Sequence, residues 1–371
     1  MNKEKRKPYR NYSWGVFIVV LIVAIALFQT VLQARKEFFV GNELIIFIVL
    51  ALLGGFFGYT IIYQIGKFIF GKIAGFRLVS INLLILRFIR IDGKISTEFT
   101  NPDGWGGSVL MAPNRPYERC YPILYHFGGT IFSILTMVIS STLALSLDPT
   151  KKIGYITLSL ACVGILVLIV NLFPCWVDYV SDGFAVRLLT HKENRKPYFD
   201  NLLQEESLLT GYKELKDEYV YDRYDDTLQA HSLLYRYYFY MNKKDYVEAR
   251  KIIKLMIENK GYLPHNEALL AESMELYFVL LESNDETSYD YYYSLDRQYR
   301  NGAVSTSSLE NIKVGLLVAL KVEKSYELYQ HIKKTIKKLQ DKYYFTRRDY
   351  ELELITKSIK MVEEKYPEWK N

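Results

Sequence analysis

Cysteine and histidine are scarce in this 371-residue sequence, which has three cysteines and five histidines. The number of cysteines is odd, and Cys120, Cys162 and Cys175 all lie in or beside apolar segments, so no disulfide framework is predicted. Their spacing is not that of a zinc site either. Charge is scarce too: residues 1–190 carry only 18 of the 47 Lys and Arg and 10 of the 41 Asp and Glu. This asymmetry argues against a single soluble domain, disorder or a nucleic-acid binder, and predicts a membrane half joined to a soluble half.

Four runs without Lys, Arg, Asp or Glu are long enough to cross a bilayer: residues 14–32, 44–66, 121–147 and 153–177. A helix needs about 20 apolar residues to cross the hydrocarbon layer. Only helices or closed barrels satisfy the backbone there, and these runs are too long for barrel strands. The first run lacks a signal-peptide cleavage site, so we interpret it as a retained span.

The distribution of Lys and Arg predicts the orientation of these spans. Thirteen of the 18 basic residues lie in the N-terminal tail and in residues 67–119, whereas the two other connections hold two each. Positively charged connections stay in the cytoplasm. We therefore expect a multi-pass cell-membrane protein with both termini cytoplasmic. Its domains would be residues 1–40 (tail and first span), 41–190 (membrane core) and 191–371 (cytoplasmic domain).

Between the second and third runs, the sequence pattern changes to that of strands. Residues 78–95 are rich in Val, Ile, Leu and Phe, alternate in part, and contain the turn dipeptide Asp92-Gly93. This pattern predicts a β-hairpin. A glycine-dense turn that ends in Gly106-Gly107 follows it. We expect a small sheet or a re-entrant loop at the cytoplasmic face of the membrane.

The second half of the chain has apolar residues at three- and four-residue spacing, which predicts helices. They cover residues 225–241, 245–259, 266–282, 286–300, 307–322, 323–339 and 346–364. Turns recur about every 40 residues, as in helical-hairpin repeats similar to tetratricopeptide repeats. This half also holds 23 of the 32 tyrosines. They are consistent with a peptide-binding groove or with a bulky solenoid core. The predicted fold is therefore mostly α-helical, with a membrane core of about four spans followed by a cytoplasmic repeat domain.

Two motifs mark the ends of the second and fourth runs. Residues 59–76 read YTIIYQIGKFIFGKIAGF, and the fourth run ends Asn171-Leu-Phe-Pro174 with Asp182-Gly183 eight residues later. In order and membrane depth, these motifs resemble the site-2 protease family of intramembrane zinc metalloproteases. The resemblance covers residues 40–190. The glycine pairs Gly106-Gly107 and Gly128-Gly129 look like those of members from Gram-positive bacteria.

The resemblance implies a zinc site whose ligands are largely missing from this sequence. The family carries His-Glu-x-Gly-His, in which two histidines bind zinc and the glutamate is the general base, and a later Asp completes the ligands. Here Tyr63, Gln64 and Lys67 stand at those three positions, and only Asp182 remains as a residual ligand. A lysine ammonium is a poor ligand, and glutamine cannot take a proton from water. We therefore expect no catalytic residue, no bound metal and no cofactor, although the family binds zinc.

We hypothesise that Lys67 and Asp182 form an ion pair in the place of the zinc, with Tyr63 or Gln64 hydrogen-bonded to the carboxylate. The alternative is that the Lys67 side chain extends to the membrane interface. For His126, alone in a predicted span, we expect packing or hydrogen bonding. The resemblance also implies a binding site that includes Asn171, Pro174, Asp182, Gly183, Gly106 and Gly107.

The predicted function is that of an inactive member of the family, and the sequence favours such a pseudoprotease over an enzyme. It would bind a membrane-bound peptide or protein partner and recruit a cytoplasmic partner through its helical repeats. The other expected partner is the lipid bilayer, and no nucleic acid is expected. Two alternatives remain: an active intramembrane metalloprotease with atypical zinc ligands, and a membrane-anchored scaffold.

Overall fold

Helices dominate the described part of the chain, and one small antiparallel sheet accompanies them, so the prediction of a mostly α-helical protein is confirmed. The computed structural model describes residues 43–91, 94–99, 107–147, 152–172, 181–210, 220–305, 309–340 and 345–370, besides positions 18, 22 and 25. Apart from those three positions, the predicted tail and first span lie outside the described residues. What is described falls into two compact units, within residues 10–206 and within residues 207–371. The first unit thus continues beyond the predicted domain end at residue 190.

The first unit contains five described helices. They are α1 (Glu43–Ile73), α2 (Pro122–Ser146), α3 (Lys152–Leu172), α4 (Asp182–Leu189) and α5 (Arg195–Thr210), of which α5 extends four residues past the limit of the unit at residue 206. Helix α1 packs against α2 and α3, and α2 packs against α3 and α4. At the α1–α2 crossing, a Cβ atom on Gly66 would lie 2.5 Å from the carbonyl oxygen of Gly128, and one on Gly128 would lie 2.6 Å from that of Gly66. Only glycine at both positions lets the two backbones approach this closely.

One helical stretch in the described residues, Tyr117–Ser146, is long and apolar enough to cross a membrane. It matches the third predicted span. Residues Ser159–Leu172, within the fourth predicted span, form a shorter apolar helix. The arrangement of four spans and the orientation of the termini stay predictions.

The sheet contains β1 (Phe76–Leu83), β2 (Leu86–Ile91), β3 (Lys94–Phe99) and β4 (Gly107–Pro113). Its strand order is β3-β2-β1-β4, and all three pairings are antiparallel. Ile91 pairs with Lys94, which confirms the predicted hairpin, although Asp92 and Gly93 between them lie outside the described residues. The sequence did not predict the second tight turn, between β1 and β2, where Leu84 has a φ of 56°.

Aromatic stacking and one ion pair hold α5 against the sheet. The Phe199 ring stacks on that of Tyr117 at 4.7 Å and on that of Phe76 at 6.0 Å. Arg77 of β1 donates to both carboxylate oxygens of Glu206. These contacts fix the rotation of α5 about its axis and thereby the position of Tyr198, the neighbour of Phe199.

The second unit contains eight described helices. They are α6 (Thr227–Asn242), α7 (Tyr246–Glu258), α8 (His265–Glu282), α9 (Asp285–Ser294), α10 (Arg297–Ala303), α11 (Leu309–Lys321), α12 (Tyr326–Gln340) and α13 (Phe345–Lys365). They lie where the sequence predicts helices, except that the predicted helix 286–300 is divided into α9 and α10. The division falls where Leu295 and Asp296 adopt extended ψ angles of 145° and 148°. The repeat architecture stays a prediction.

Helix α11 is central to the second unit and packs against α8, α12 and α13. Lys313 of α11 forms an ion pair with Glu351 of α13 at 2.5 Å, and both side chains are 0% exposed. Tyr237, Tyr277 and Tyr329 are fully buried in the surrounding core. For these three tyrosines the core interpretation of the tyrosine-rich sequence is therefore correct.

Candidate functional site

The carboxylate of Asp182 lies at the first residue of α4, where two local features position it. The Ser181 hydroxyl accepts a hydrogen bond from the Phe184 backbone N–H at 3.2 Å, which caps the helix and sets its start. A Cβ atom on Gly183 would lie 1.8 Å from the carbonyl oxygen of Leu172, so only glycine lets α4 begin against the end of α3. The Asp182-Gly183 motif therefore places the carboxylate close to the other helices of the unit.

Helix α1 supplies two donors to this carboxylate. Tyr63 and Lys67 are four residues apart and thus lie on the same face of the helix. The Tyr63 hydroxyl donates to Oδ2 of Asp182 at 2.7 Å, and Lys67 Nζ donates to Oδ1 at 2.8 Å. The side chains of Lys67 and Asp182 are only 12% and 7% exposed. The hypothesised ion pair is therefore present, and Lys67 does not extend away from it.

Gln64, the other proposed partner of the carboxylate, binds elsewhere. Its Nε2 donates to the carbonyl oxygen of Gly107 at 3.0 Å, at the start of β4. A Cβ atom on Gly107 would come within 3.2 Å of Thr60 Cγ2 and 3.3 Å of Gln64 Cγ. Gly107 thus lets β4 lie close against α1, and Gln64 links the helix to the sheet.

His126 of α2 adds a third donor to Asp182. Its Nδ1 lies 2.6 Å from Oδ1, and its Nε2 lies 2.9 Å from the hydroxyl of Tyr198. Burial raises the pKa of Tyr198 well above its usual value, so this hydroxyl keeps its proton. A consistent assignment has Tyr198 donating to Nε2 and Nδ1–H donating to the carboxylate. The predicted hydrogen-bonding role of His126 is therefore confirmed.

With the histidine in this neutral form, the cluster holds one positive and one negative charge. We call Tyr63, Lys67, His126, Asp182 and Tyr198 the Asp182 cluster. Both oxygens of the carboxylate accept hydrogen bonds: Oδ1 from Lys67 and His126, and Oδ2 from Tyr63. A buried ion is tolerated when it is paired and hydrogen-bonded. The arrangement meets both conditions and joins α1, α2, α4 and α5.

The side chains of the Asp182 cluster do not fit a zinc ion. A zinc site needs three or four N, S or O ligands directed at one point. Here the carboxylate oxygens are directed at protein donors, and the Lys67 ammonium, 2.8 Å from Oδ1, would repel a divalent cation. Among the described residues, no group of three or more His, Cys, Asp or Glu side chains could hold a metal.

Asn171 and Gly107, the other described residues of the predicted binding site, make their hydrogen bonds away from Asp182. The side chain of Asn171 donates to the carbonyl oxygen of Val167 in its own helix at 2.8 Å. Pro174 and Gly106 lie outside the described residues. The structure therefore brings together Tyr63, Lys67 and Asp182, with Gly183 as the backbone contact that positions the carboxylate.

Tyr198 is the member of the cluster that the sequence did not indicate. It lies beyond the motif region, and the stacking of Phe199 determines its position rather than any spacing to Asp182. No local pattern could have identified it. No protein-family model, no curated protein and no solved structure matches the chain.

Proposed function

We propose that this chain is a multi-pass membrane protein that resembles a site-2 protease but does not cleave peptide bonds. It binds a membrane-bound peptide or protein partner through residues 41–190 and recruits a cytoplasmic partner through its helical second half. The observation that carries the proposal is the state of Asp182, whose carboxylate is bound by Lys67, Tyr63 and His126.

The exposed faces of α1 and α2 support the membrane location. Ile61, Ile65 and Ile69 of α1 recur every four residues and are 37–45% exposed, and α2 exposes Leu135 and Val138 at 56% each. A continuous apolar surface of this kind is typical of contact with lipid or with another protein. Contact with lipid would cover the exposed apolar faces of both helices at once, in agreement with the uncharged runs of sequence that form them.

The Asp182 cluster is poorly suited to hydrolysis. Cleaving a peptide bond requires a group that takes a proton from water or a metal that acidifies it. Gln64 cannot act as a base, and its Nε2 is already bound to Gly107. The Asp182 carboxylate accepts from three protein donors, so it has little capacity left to orient a water molecule.

Metal content separates this proposal from an active metalloprotease. Full-length protein purified in detergent should contain far less than one zinc per chain, and Asp182→Ala should not change that amount. A variant that combines Tyr63→His, Gln64→Glu and Lys67→His restores the ligand types of the family and serves as the positive control. This variant should gain zinc and lose it again when Asp182→Ala is added.

The second candidate function is an active intramembrane metalloprotease with atypical ligands. One observation favours it: histidine and aspartate are common zinc ligands, and Nδ1 of His126 lies 2.6 Å from Oδ1 of Asp182. Stoichiometric zinc in the unmodified protein that Asp182→Ala removes, together with cleavage of a membrane-embedded substrate, would establish this candidate and overturn the proposal.

A further inference from the structure

A buried carboxylate oxygen in the second unit has no hydrogen-bond partner among the described residues. It is Oε2 of Glu267, on α8. The Glu267 side chain is 8% exposed, and its other oxygen accepts from Nδ1 of His231 at 2.6 Å. The hydroxyl of Tyr235 lies 2.8 Å from Nε2 of that histidine and fixes the ring. One oxygen of the carboxylate is thus held in place, while the other has no hydrogen-bond partner in the part of the chain that the structure describes.

Glu267 lines a cavity of about 450 Å³ between α6, α8, α10 and α11. Glu310 of α11 lies in the same wall and is 3% exposed. Leu234, Leu269 and Leu270 give the cavity an apolar side, and among the described residues its lining contains no Lys or Arg. A volume of this size is within the range of ligand-binding pockets and far exceeds that of a bare ion.

The lining specifies the chemistry of the occupant. An unpaired buried carboxylate oxygen is unfavourable, and a cationic donor is the partner that relieves it most, through a charge-assisted hydrogen bond. The leucines call for an apolar segment beside the cation. Lysine and arginine side chains combine an apolar stem with a charged head.

We propose that this cavity binds a lysine or arginine side chain of a peptide partner, with its cationic head at the Glu267 carboxylate and its stem against the leucines. The inference rests on the partner-recruiting role proposed above for the second half of the chain. Its test does not involve the Asp182 cluster, so each proposal can fail without the other.

The test uses full-length protein in detergent and four fluorescently labelled glycine pentapeptides with blocked termini. Their central residue is Arg, Lys, Gln or Glu, and binding is measured by fluorescence anisotropy. The Arg and Lys peptides should bind about tenfold to a hundredfold more tightly than the Gln peptide, as expected for a hydrogen bond between charged groups. The Glu peptide should bind most weakly.

Three variants locate the binding. Glu267→Gln should remove the preference for Arg and Lys, whereas Glu258→Gln, an exposed glutamate at the end of α7, should leave it unchanged. Gly302→Leu should weaken binding of all four peptides by filling the cavity. A Cβ atom there would lie 3.6 Å from its nearest neighbour, a methyl group of Leu269, so this variant tests the cavity without altering the carboxylate.

Equal binding of the Arg, Lys and Gln peptides to the unmodified protein, or no binding at all, would overturn the inference. So would a Glu267-dependent affinity for Ca²⁺ alone, since that result identifies a metal site instead. A preference for Arg and Lys that survives Glu267→Gln places the cation elsewhere and refutes this assignment as well.

Discussion

Replacing Lys67 with methionine should destabilise the first unit strongly, because it leaves the Asp182 carboxylate buried without its cation. At 2.8 Å, the attraction between the two charges is about 6 kcal/mol at an effective dielectric constant of about 20. Most of this gain is offset by the desolvation of both ions. Breaking such a pair on one side still costs about 3–5 kcal/mol, since the remaining ion stays buried.

The chain provides a local probe for this measurement in Cys120. Its thiol is buried, with the residue 4% exposed, just before α2 in the first unit. In a background with Cys162→Ser and Cys175→Ser, a dye that reacts with thiols reports when Cys120 becomes accessible on heating or in denaturant. The midpoint of labelling then follows the first unit without interference from the second.

A double-mutant cycle separates the ion pair from the loss of side-chain packing. Lys67→Met and Asp182→Asn should each lower the stability, and the double variant should lose less than the sum of the two, by about 1–3 kcal/mol. Lys72→Met is the matched control, because Lys72 lies on the same helix but is exposed, so its effect should stay within about 0.5 kcal/mol. Additive effects of the two single variants would refute the reasoning, since no coupling would then exist between Lys67 and Asp182.

Three further predictions concern packing, a second ion pair and pH. Gly128→Ala should cost about 1–3 kcal/mol in the same thiol assay by forcing α1 and α2 apart, whereas Gly58→Ala should not, since no described neighbour lies within 4 Å of a Cβ there. Lys313→Met should destabilise the second unit by about 3–5 kcal/mol, and the double variant Lys313→Met with Glu351→Gln should destabilise it less. Unfolding followed by tryptophan fluorescence measures both, and an equal loss of stability in the single and double variants would contradict the prediction. A hydrogen bond from Lys365 of α13 lowers the pKa of Asp285. The stabilisation of the folded state by this ion pair is therefore present at neutral pH and is lost as the pH falls below about 4. Asp285→Asn should reduce that acid-induced loss of stability, and an unchanged pH profile would argue against it.

Helix positions in the second unit could be predicted well because each helix buries one face, which imposes a three- and four-residue spacing on the sequence. The division of the predicted helix 286–300 could not, since Leu295 and Asp296 fit a helical pattern and leave it only through their backbone angles. The turn between β1 and β2 was also missed, because Leu84 has none of the features that normally mark a positive φ.

In the first unit, the two charges of the Asp182 cluster were predicted from the resemblance to site-2 proteases, which implies that the positions of Lys67 and Asp182 share one zinc site. The sequence could not choose between Tyr63 and Gln64 as the hydrogen-bond partner. That choice depends on the position of β4, whose Gly107 carbonyl binds Gln64 and so directs its side chain away from the carboxylate. Tyr198 depends on the packing of α5 and left no signal in the sequence.

Under the proposed function, the Asp182 cluster takes the place of the family's zinc ion in holding the helices together. A zinc ion would link its ligands by accepting their lone pairs, whereas Lys67, Tyr63 and His126 link the same carboxylate by donating hydrogen bonds to it. In both arrangements one central group connects the helices, but here that group is the negatively charged Asp182 carboxylate instead of a zinc cation. Because the donors belong to α1 and α2 and the acceptor to α4, these hydrogen bonds hold the three helices together. The same hydrogen bonds occupy the carboxylate, so the stability of this core and the proposed lack of hydrolytic activity have one physical cause.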